Sequence, residues 1–183
     1  VSPHQLRSGF NSLINKEIRN AKLGKEAWMI IKLNNIVDTK IVNKLYQASR
    51  AGVKIDIICR GICVLIPQVK GLSDNIRVIS IVDKYLEHSR IQVFANDGDP
   101  LYYISSADWM ARNFDHRFET ACPIYDDALK SEIMDILKIQ LGDNVKARLV
   151  NTNTINAYVD RKNNIKIRSQ FDIYNYLNKK SRS

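Results

Sequence analysis

The sequence predicts an α/β domain, on two observations. The runs "AWMIIKL" (27–33) and "VKIDIIC" (53–59) are short, apolar and bounded by polar turns, as strands buried on both faces are. Between them, from about Thr39, Ile41, Leu45 and Ala48 keep helical register until Gly52 closes the stretch. Strand, helix and strand in that order make a βαβ unit, whose strands run parallel and are joined by a right-handed crossover. With 183 residues, 45% of them apolar, the chain can bury a sizeable core and is expected to form one domain over 1–183.

The other elements follow in chain order. Ser2, Pro3 and Gln5 read as N-cap, first-turn proline and capping-box partner of a first helix. Its apolar face of Leu6, Phe10, Leu13, Ile14 and Ile18 runs to about Lys22, before Gly24. After the βαβ unit, "IRVISIV" (76–82), "RIQVF" (90–94), "LYYIS" (101–105) and "FETACPI" (118–124) read as strands, the third introduced by the turn "NDGDP". Leu129, Ile133, Ile136 and Leu137 mark a helix after "YDDA"; a last helix is expected over 170–178, packing Phe171, Tyr174 and Leu177. The sequence has no internal repeat, low-complexity tract or linker.

Composition narrows the function classes. The formal charge is +9, with a mild concentration of base in "DRKNNIKIRSQ" and "NKKSRS" near the end. Such a surface favours polyanions: nucleic acid, nucleotide phosphates, polyphosphate or anionic lipid. Charge alone does not choose among these, nor between them and a merely solvated basic face. Three cysteines, Cys59, Cys63 and Cys122, are too few for a disulfide framework and lack zinc spacing, which fits a reducing cytoplasm; Cys59 and Cys122 read as small core residues. No apolar run approaches the roughly 20 residues of a membrane helix. A soluble chain without a transmembrane segment is expected, association with a membrane surface being left open. "VSPHQLRSGF" has neither an initiating Met nor a signal-peptide core, so a fragment of something longer is expected.

In open α/β sheets ligands bind beyond the carboxyl ends of the strands. That rule nominates Lys32, Asn34 and Asn35 after the first strand and Arg60, followed by Gly61, after the second. A surface arginine in a loop is the plain alternative for Arg60. On a strand, residues two apart share a face, so His88, Arg90 and Gln92 would point one way and Ser89, Ile91 and Val93 the other. An imidazole that moves protons near neutral pH, beside a guanidinium that holds phosphate oxygens, suits phosphoryl chemistry; a hydrogen-bonded structural histidine is the alternative. His4 and His116 have no such setting. No phosphate-binding glycine loop, H-E-x-x-H or G-x-S-x-G occurs, so side chains must handle any phosphate. Arg60, Arg77, Arg90, Arg112 and Arg117 are the available clamps. "SSADWMARNFDHRFE" (105–119) gathers hydroxyls, a carboxylate, an indole and cations, either to touch a ligand or as a polar loop anchored by Trp109.

"KLNNIVD", "VKIDIICRGIC", "GLSDNIRVISIVDKYLEHSRIQVF" and "ISSADWMARNFDHRFE" together resemble, in order and over nearly the whole chain, the last domain of the ATP-dependent polyphosphate kinases of phosphohistidine type. The resemblance implies a phospholipase-D-like α/β fold, a mixed and largely parallel sheet flanked by helices. It implies reversible transfer of the terminal phosphate of ATP onto inorganic polyphosphate through a phosphohistidine in the preceding domain. By position, Arg60 and His88 match residues assigned to ATP binding, and His88 also matches the second active-site histidine. The superfamily pattern H-x-K-x4-D is degraded here: His88 keeps its place, Arg90 replaces the lysine and Ala95 the aspartate. The downstream G-S-x-N element appears as Ser105, Ser106, Ala107 and Asp108, which adds Ser106 and Asp108 to the candidates. ATP is then the substrate, and magnesium is expected in the full-length enzyme with ligands outside this chain. The expected partners are ATP or ADP, polyphosphate, the preceding domains of the same polypeptide and further copies in a homo-oligomer, but not nucleic acid. Two other classes stay open: a phospholipase-D-like phosphodiesterase or nuclease, which Ala95 weakens, and a non-catalytic basic module that binds polyanions.

Overall fold

A computed structural model describes residues 1–151, 156–161 and 165–182. Lys162, Asn163 and Asn164 of the basic stretch near the end, and Ser183, lie outside the described residues. The elements are α1 (Leu6–Lys22), β1 (Trp28–Leu33), α2 (Thr39–Arg50), β2 (Lys54–Cys59), β3 (Ile76–Ile81), β4 (Ile91–Phe94), β5 (Leu101–Ser105), α3 (Ala111–Asp115), β6 (Ala121–Ile124), α4 (Asp127–Leu141), β7 (Ala147–Val150) and α5 (Ser169–Lys180).

Among the described residues the strands form one seven-stranded sheet in the order β6-β5-β4-β1-β2-β3-β7. The βαβ unit is as expected: β1 pairs parallel with β2, and β2 with β3. The sheet is mixed, but parallel pairing is confined to these three strands. β4 joins β1 antiparallel, and β5, β6 and β7 also add antiparallel; a short turn joins β4 to β5, and a longer segment containing α3 joins β5 to β6. Leu33 faces Cys59 in register, so Asn34 and Arg60 leave the sheet at one level.

Side-chain alternation divides the core between the two faces. Met29, Ile31 and Leu33 of β1 pack with Ile55, Ile57, Cys59, Phe94 and the inner sides of α1 and α2. Ile30 packs with Ile58, Ile79, Ile91, Val93 and Leu137 of α4 on the other face. Lys32 shares parity with Ile30 and therefore points to the α4 face. The loops beyond β1 and β2 are stitched together: the Ile36 amide donates to the Ile62 carbonyl (2.8 Å), and the Val64 amide to the Ile36 carbonyl (3.0 Å).

Several boundaries differ from expectation. Ser2 is no N-cap: it is fully buried, and its hydroxyl donates to the carbonyls of Asn113 and Phe114 (3.0 Å to the latter), so α1 starts at Leu6 behind an uncapped turn. β6 begins at Ala121, and Phe118 is left exposed. Cys122 is exposed because it sits on that edge strand, whereas Cys59 is buried as expected. Its hydrogen bond with Cys63, and then burial, push the Cys59 thiol far above the ordinary thiol range. Phe171, Tyr174 and Leu177 do not anchor α5; they are exposed, and the buried residues of that helix are Ser169 and Gln170 at its start. Polar groups do the anchoring: Asp143 accepts from the amide and hydroxyl of Ser169 at 2.8 and 2.7 Å. Tyr176 donates to Asp135 of α4 at 2.9 Å.

Candidate functional site

The carboxyl rim of β1 and β2 carries the site, and the segment between β3 and β4 closes over it. β4 is laddered only from Ile91, so His88 and Arg90 lie just before the strand rather than on it. The alternation expected of them persists all the same. Ser89 turns to the α4 face, where its hydroxyl accepts from Lys32 Nζ at 2.6 Å; Arg90 turns to the other. His88 is exposed, and its Nε2 lies 3.5 Å from Arg90 Nη2.

Two polar networks flank His88. On the α1/α2 face, Asp108 is buried and accepts from Arg90 Nε (3.0 Å) and Nη2 (3.2 Å). It also accepts from the Asn34 amide (2.8 Å), the Asn35 amide (3.1 Å) and Asn35 Nδ2 (3.2 Å). Burial works to raise the Asp108 pKa, but the bonds from Arg90, Asn35 and the backbone outweigh it and hold the carboxyl below its ordinary value. On the α4 face, the buried Lys32 donates to Glu87 Oε2 at 2.8 Å. Gln140 of α4 donates to the same oxygen at 3.0 Å, and Gln170 of α5 to Glu87 Oε1 at 3.1 Å.

Arg60 links the two. Its Nε donates to Asn34 Oδ1 (2.7 Å) and to the Glu87 carbonyl. Among the described residues neither of its terminal nitrogens has a hydrogen-bond partner, so two of its donor groups are available to a ligand. Gly61 permits the close approach of the two loops: a Cβ there would lie 2.6 Å from Asn35 Oδ1 and 2.7 Å from the Asn34 carbonyl. Beside Arg60 opens a cavity of about 180 Å³, lined by Ile81 and by the 82–87 segment.

Lys32, Asn34, Asn35, Arg60, His88, Arg90 and Asp108 thus lie together on one rim. Arg77 does not join them. It stands at the start of β3 opposite Asp56, and from Asp56 to Arg60 the sheet extends roughly 13 Å at about 3.3 Å per residue. Its guanidinium instead donates to the Leu141 carbonyl at the end of α4 (2.8 Å). Ser106, Arg112 and Arg117 are exposed, and none bonds to either network; Ser106 donates to Glu119. Trp109 is fully buried, 5.4 Å from the ring of Phe10, so in "SSADWMARNFDHRFE" the indole is a packing anchor. Glu87, Gln140 and Gln170 are the members that sequence reasoning missed. The one signal available was the parity that sets Glu87 and Ser89 on the side of Lys32.

The family profile described as "Polyphosphate kinase C-terminal domain 2" matches residues 1–170. The chain belongs to the polyphosphate kinase family. The polyphosphate kinase of Vibrio parahaemolyticus (serotype O3:K6, strain RIMD 2210633) is 55% identical over 177 residues, which are 97% of this chain and 25% of that protein. The polyphosphate kinase of Escherichia coli (strain K12) is 48% identical over 177 residues, 97% of this chain and 26% of that protein. This chain therefore spans about a quarter of the curated polyphosphate kinases it matches. The crystal structure of polyphosphate kinase from Porphyromonas gingivalis superimposes with a TM-score of 0.93 at 47% identity, over 96% of this chain and 27% of that one. NucT from Helicobacter pylori superimposes with a TM-score of 0.55 at 15% identity, covering 75% of this chain and 90% of its own, and so shares the fold alone. The same holds for Nuc from Salmonella typhimurium, a phospholipase D family member, at 0.53 and 10%, over 74% and 89%.

Magnesium, which a polyphosphate kinase implies, does not fit the residues gathered here. Among the described residues no three His, Cys, Asp or Glu side chains are grouped to hold a metal ion. The two rim acids are committed, Asp108 to Arg90 and backbone amides, Glu87 to Lys32 and two glutamines.

Proposed function

We propose that this domain is one half of the phosphotransfer site of a polyphosphate kinase, acting in reversible transfer of the terminal phosphate of ATP onto inorganic polyphosphate. The observation that carries this is the pairing of Arg60, with its terminal nitrogens unbonded, and the exposed His88 on one rim, inside a chain that belongs to the polyphosphate kinase family. Arg60 grips nucleotide phosphate oxygens with its two terminal nitrogens while Nε fixes its position. His88 gives or takes a proton as the phosphoryl group moves to or from the phosphohistidine, which belongs to the preceding domain. Arg90 is tied to Asp108 by two bonds, so its part is to orient the imidazole, whose Nε2 lies 3.5 Å from its Nη2, rather than to clamp phosphate freely. Any magnesium is held by residues outside this chain. The enzyme works in the cytoplasm, which the three free cysteines support, on ATP or ADP and polyphosphate, together with its preceding domains and further copies of itself. No helix of the described residues is long and apolar enough to cross a membrane.

Nucleotide affinity in the full-length kinase carrying this domain tests the assignment. Arg60→Ala removes charge-assisted bonds of about 1.5–3 kcal/mol, so ATP should bind roughly 10- to 150-fold more weakly. Arg60→Lys should rescue little, because a single ammonium does not reproduce the fork. An alanine variant that binds ATP as tightly as wild type excludes Arg60 from the site.

A further inference from the structure

The segment 82–90 that carries His88 lacks the usual reasons to be ordered. Its only backbone bond to a neighbouring strand among the described residues is at its end, where the Ser105 amide donates to the Arg90 carbonyl (2.9 Å), and its apolar residues Val82, Tyr85 and Leu86 are 68%, 60% and 74% exposed. Burial of apolar surface therefore does not hold it. Its polar groups do, and they alternate. Arg168, just before α5, takes Asp83 with two bonds of 2.8 and 2.7 Å. Gln170, in the first turn of α5, takes both backbone groups of Tyr85: its Oε1 accepts from the Tyr85 amide (2.9 Å) and its Nε2 donates to the Tyr85 carbonyl (2.8 Å). The same Nε2 also reaches Glu87 Oε1 at 3.1 Å. Residues 83, 85 and 87 thus face α5 through side chain or backbone, while Lys84, Leu86 and His88 are exposed.

We propose that Gln170 and Glu87 are positioning residues for His88, so that the start of the C-terminal helix sets the catalytic histidine from a distance of about 80 residues in sequence. This rests on the role assigned to His88 above. A primary amide suits the task because it offers an acceptor and a donor at once, and so replaces the strand partner that Tyr85 lacks. Glutamate at 170 could not donate to the Tyr85 carbonyl and would set a second carboxylate against Glu87. Methionine would keep the length without either group.

The test uses the full-length kinase with Gln170→Glu, Gln170→Met, Glu87→Gln, the double variant Glu87→Gln/Gln170→Glu, and His88→Ala alongside. The readouts are kcat and KM for ATP in polyphosphate synthesis, hydrogen exchange of peptides covering 82–90, and the melting temperature. Both Gln170 variants should lower kcat by about 10- to 100-fold, the scale of a misplaced reacting group, with a much smaller change in KM. Exchange over 82–90 should quicken while melting stays near that of wild type. The double variant should regain part of the kcat lost in Gln170→Glu, because amide and carboxylate are restored in reversed positions. Wild-type kcat in both Gln170 variants, with His88→Ala impaired, overturns the clamp and leaves the role of His88 intact. A lowered kcat that tracks a lowered melting temperature, with no rescue in the double variant, also overturns it in favour of a purely structural helix. Full activity of His88→Ala removes the role of His88 and the clamp's purpose together.

Discussion

Asp108 shows how single residues divide the labour of the rim. With five donors on its two oxygens it is an acceptor that orders others, Arg90 on one side and the Asn34–Asn35 loop on the other. Its carboxyl is depressed in the fold, so its contribution to stability is present above the unfolded value of about 3.9 and is lost as pH falls through the folded value. Asp108→Asn leaves Arg90, whose side chain is 14% exposed, without its counter-charge, which costs about 3–5 kcal/mol. Urea unfolding should show a lower midpoint for the variant at pH 7 and a smaller loss of stability on acidification to pH 3; an unchanged midpoint would contradict the account. Asn34, Asn35 and Arg60 are legible in the sequence, since parallel strands deliver whatever follows them to one rim, and Lys32 stands just before it, inside β1. Glu87 is less legible: parity sets it on the side of Lys32, but its flanks Leu86 and His88 do not say whether it meets water or a buried lysine.

At the scale of elements, the site depends on two loops that leave β1 and β2 level and touch. Gly61 is the point of contact. Gly61→Ala forces its Cβ against Asn35 Oδ1 and the Asn34 carbonyl, an overpacking that costs about 1–3 kcal/mol and displaces Arg60. A lower urea midpoint together with weaker ATP binding is expected, and wild-type values of both would show that the loops part without consequence. The buried strands and the helix between them are read correctly from apolar runs and period. β7 is not foreseen: "ARLV" is only four residues with a charge among them, and it forms because β3 offers it an edge. α3 is one turn inside a polar segment, ordered by the burial of Phe114 rather than by its own propensity. The expected cap of α1 fails because the Ser2 hydroxyl finds better acceptors at Asn113 and Phe114, a tertiary contact that no local pattern contains. The start of α5 shows the same limit, since its polar residues are the buried ones.

For the whole molecule, one sheet arranges a rim on which the Asp108 and Glu87 networks flank the exposed His88 and an Arg60 held by its Nε, with its terminal nitrogens unbonded among the described residues. The fold is shared with NucT and Nuc, but Ala95 is fully buried where the superfamily pattern has an aspartate, and the lysine position is Arg90, locked to Asp108. Both departures from the superfamily pattern support the proposed phosphotransferase half-site over a phosphodiesterase. A formal charge of +9 is consistent with the polyanionic substrates proposed above, and the proposal places the other half of the site in the three quarters of a polyphosphate kinase that this chain does not span. The most direct measurement is the rate of phosphate transfer from labelled ATP to polyphosphate by the full-length kinase carrying His88→Ala. A loss of about 10²- to 10⁴-fold, with the fold intact by melting, is the expected result for a general acid–base group. An undiminished rate would contradict the assignment of His88 to the reaction.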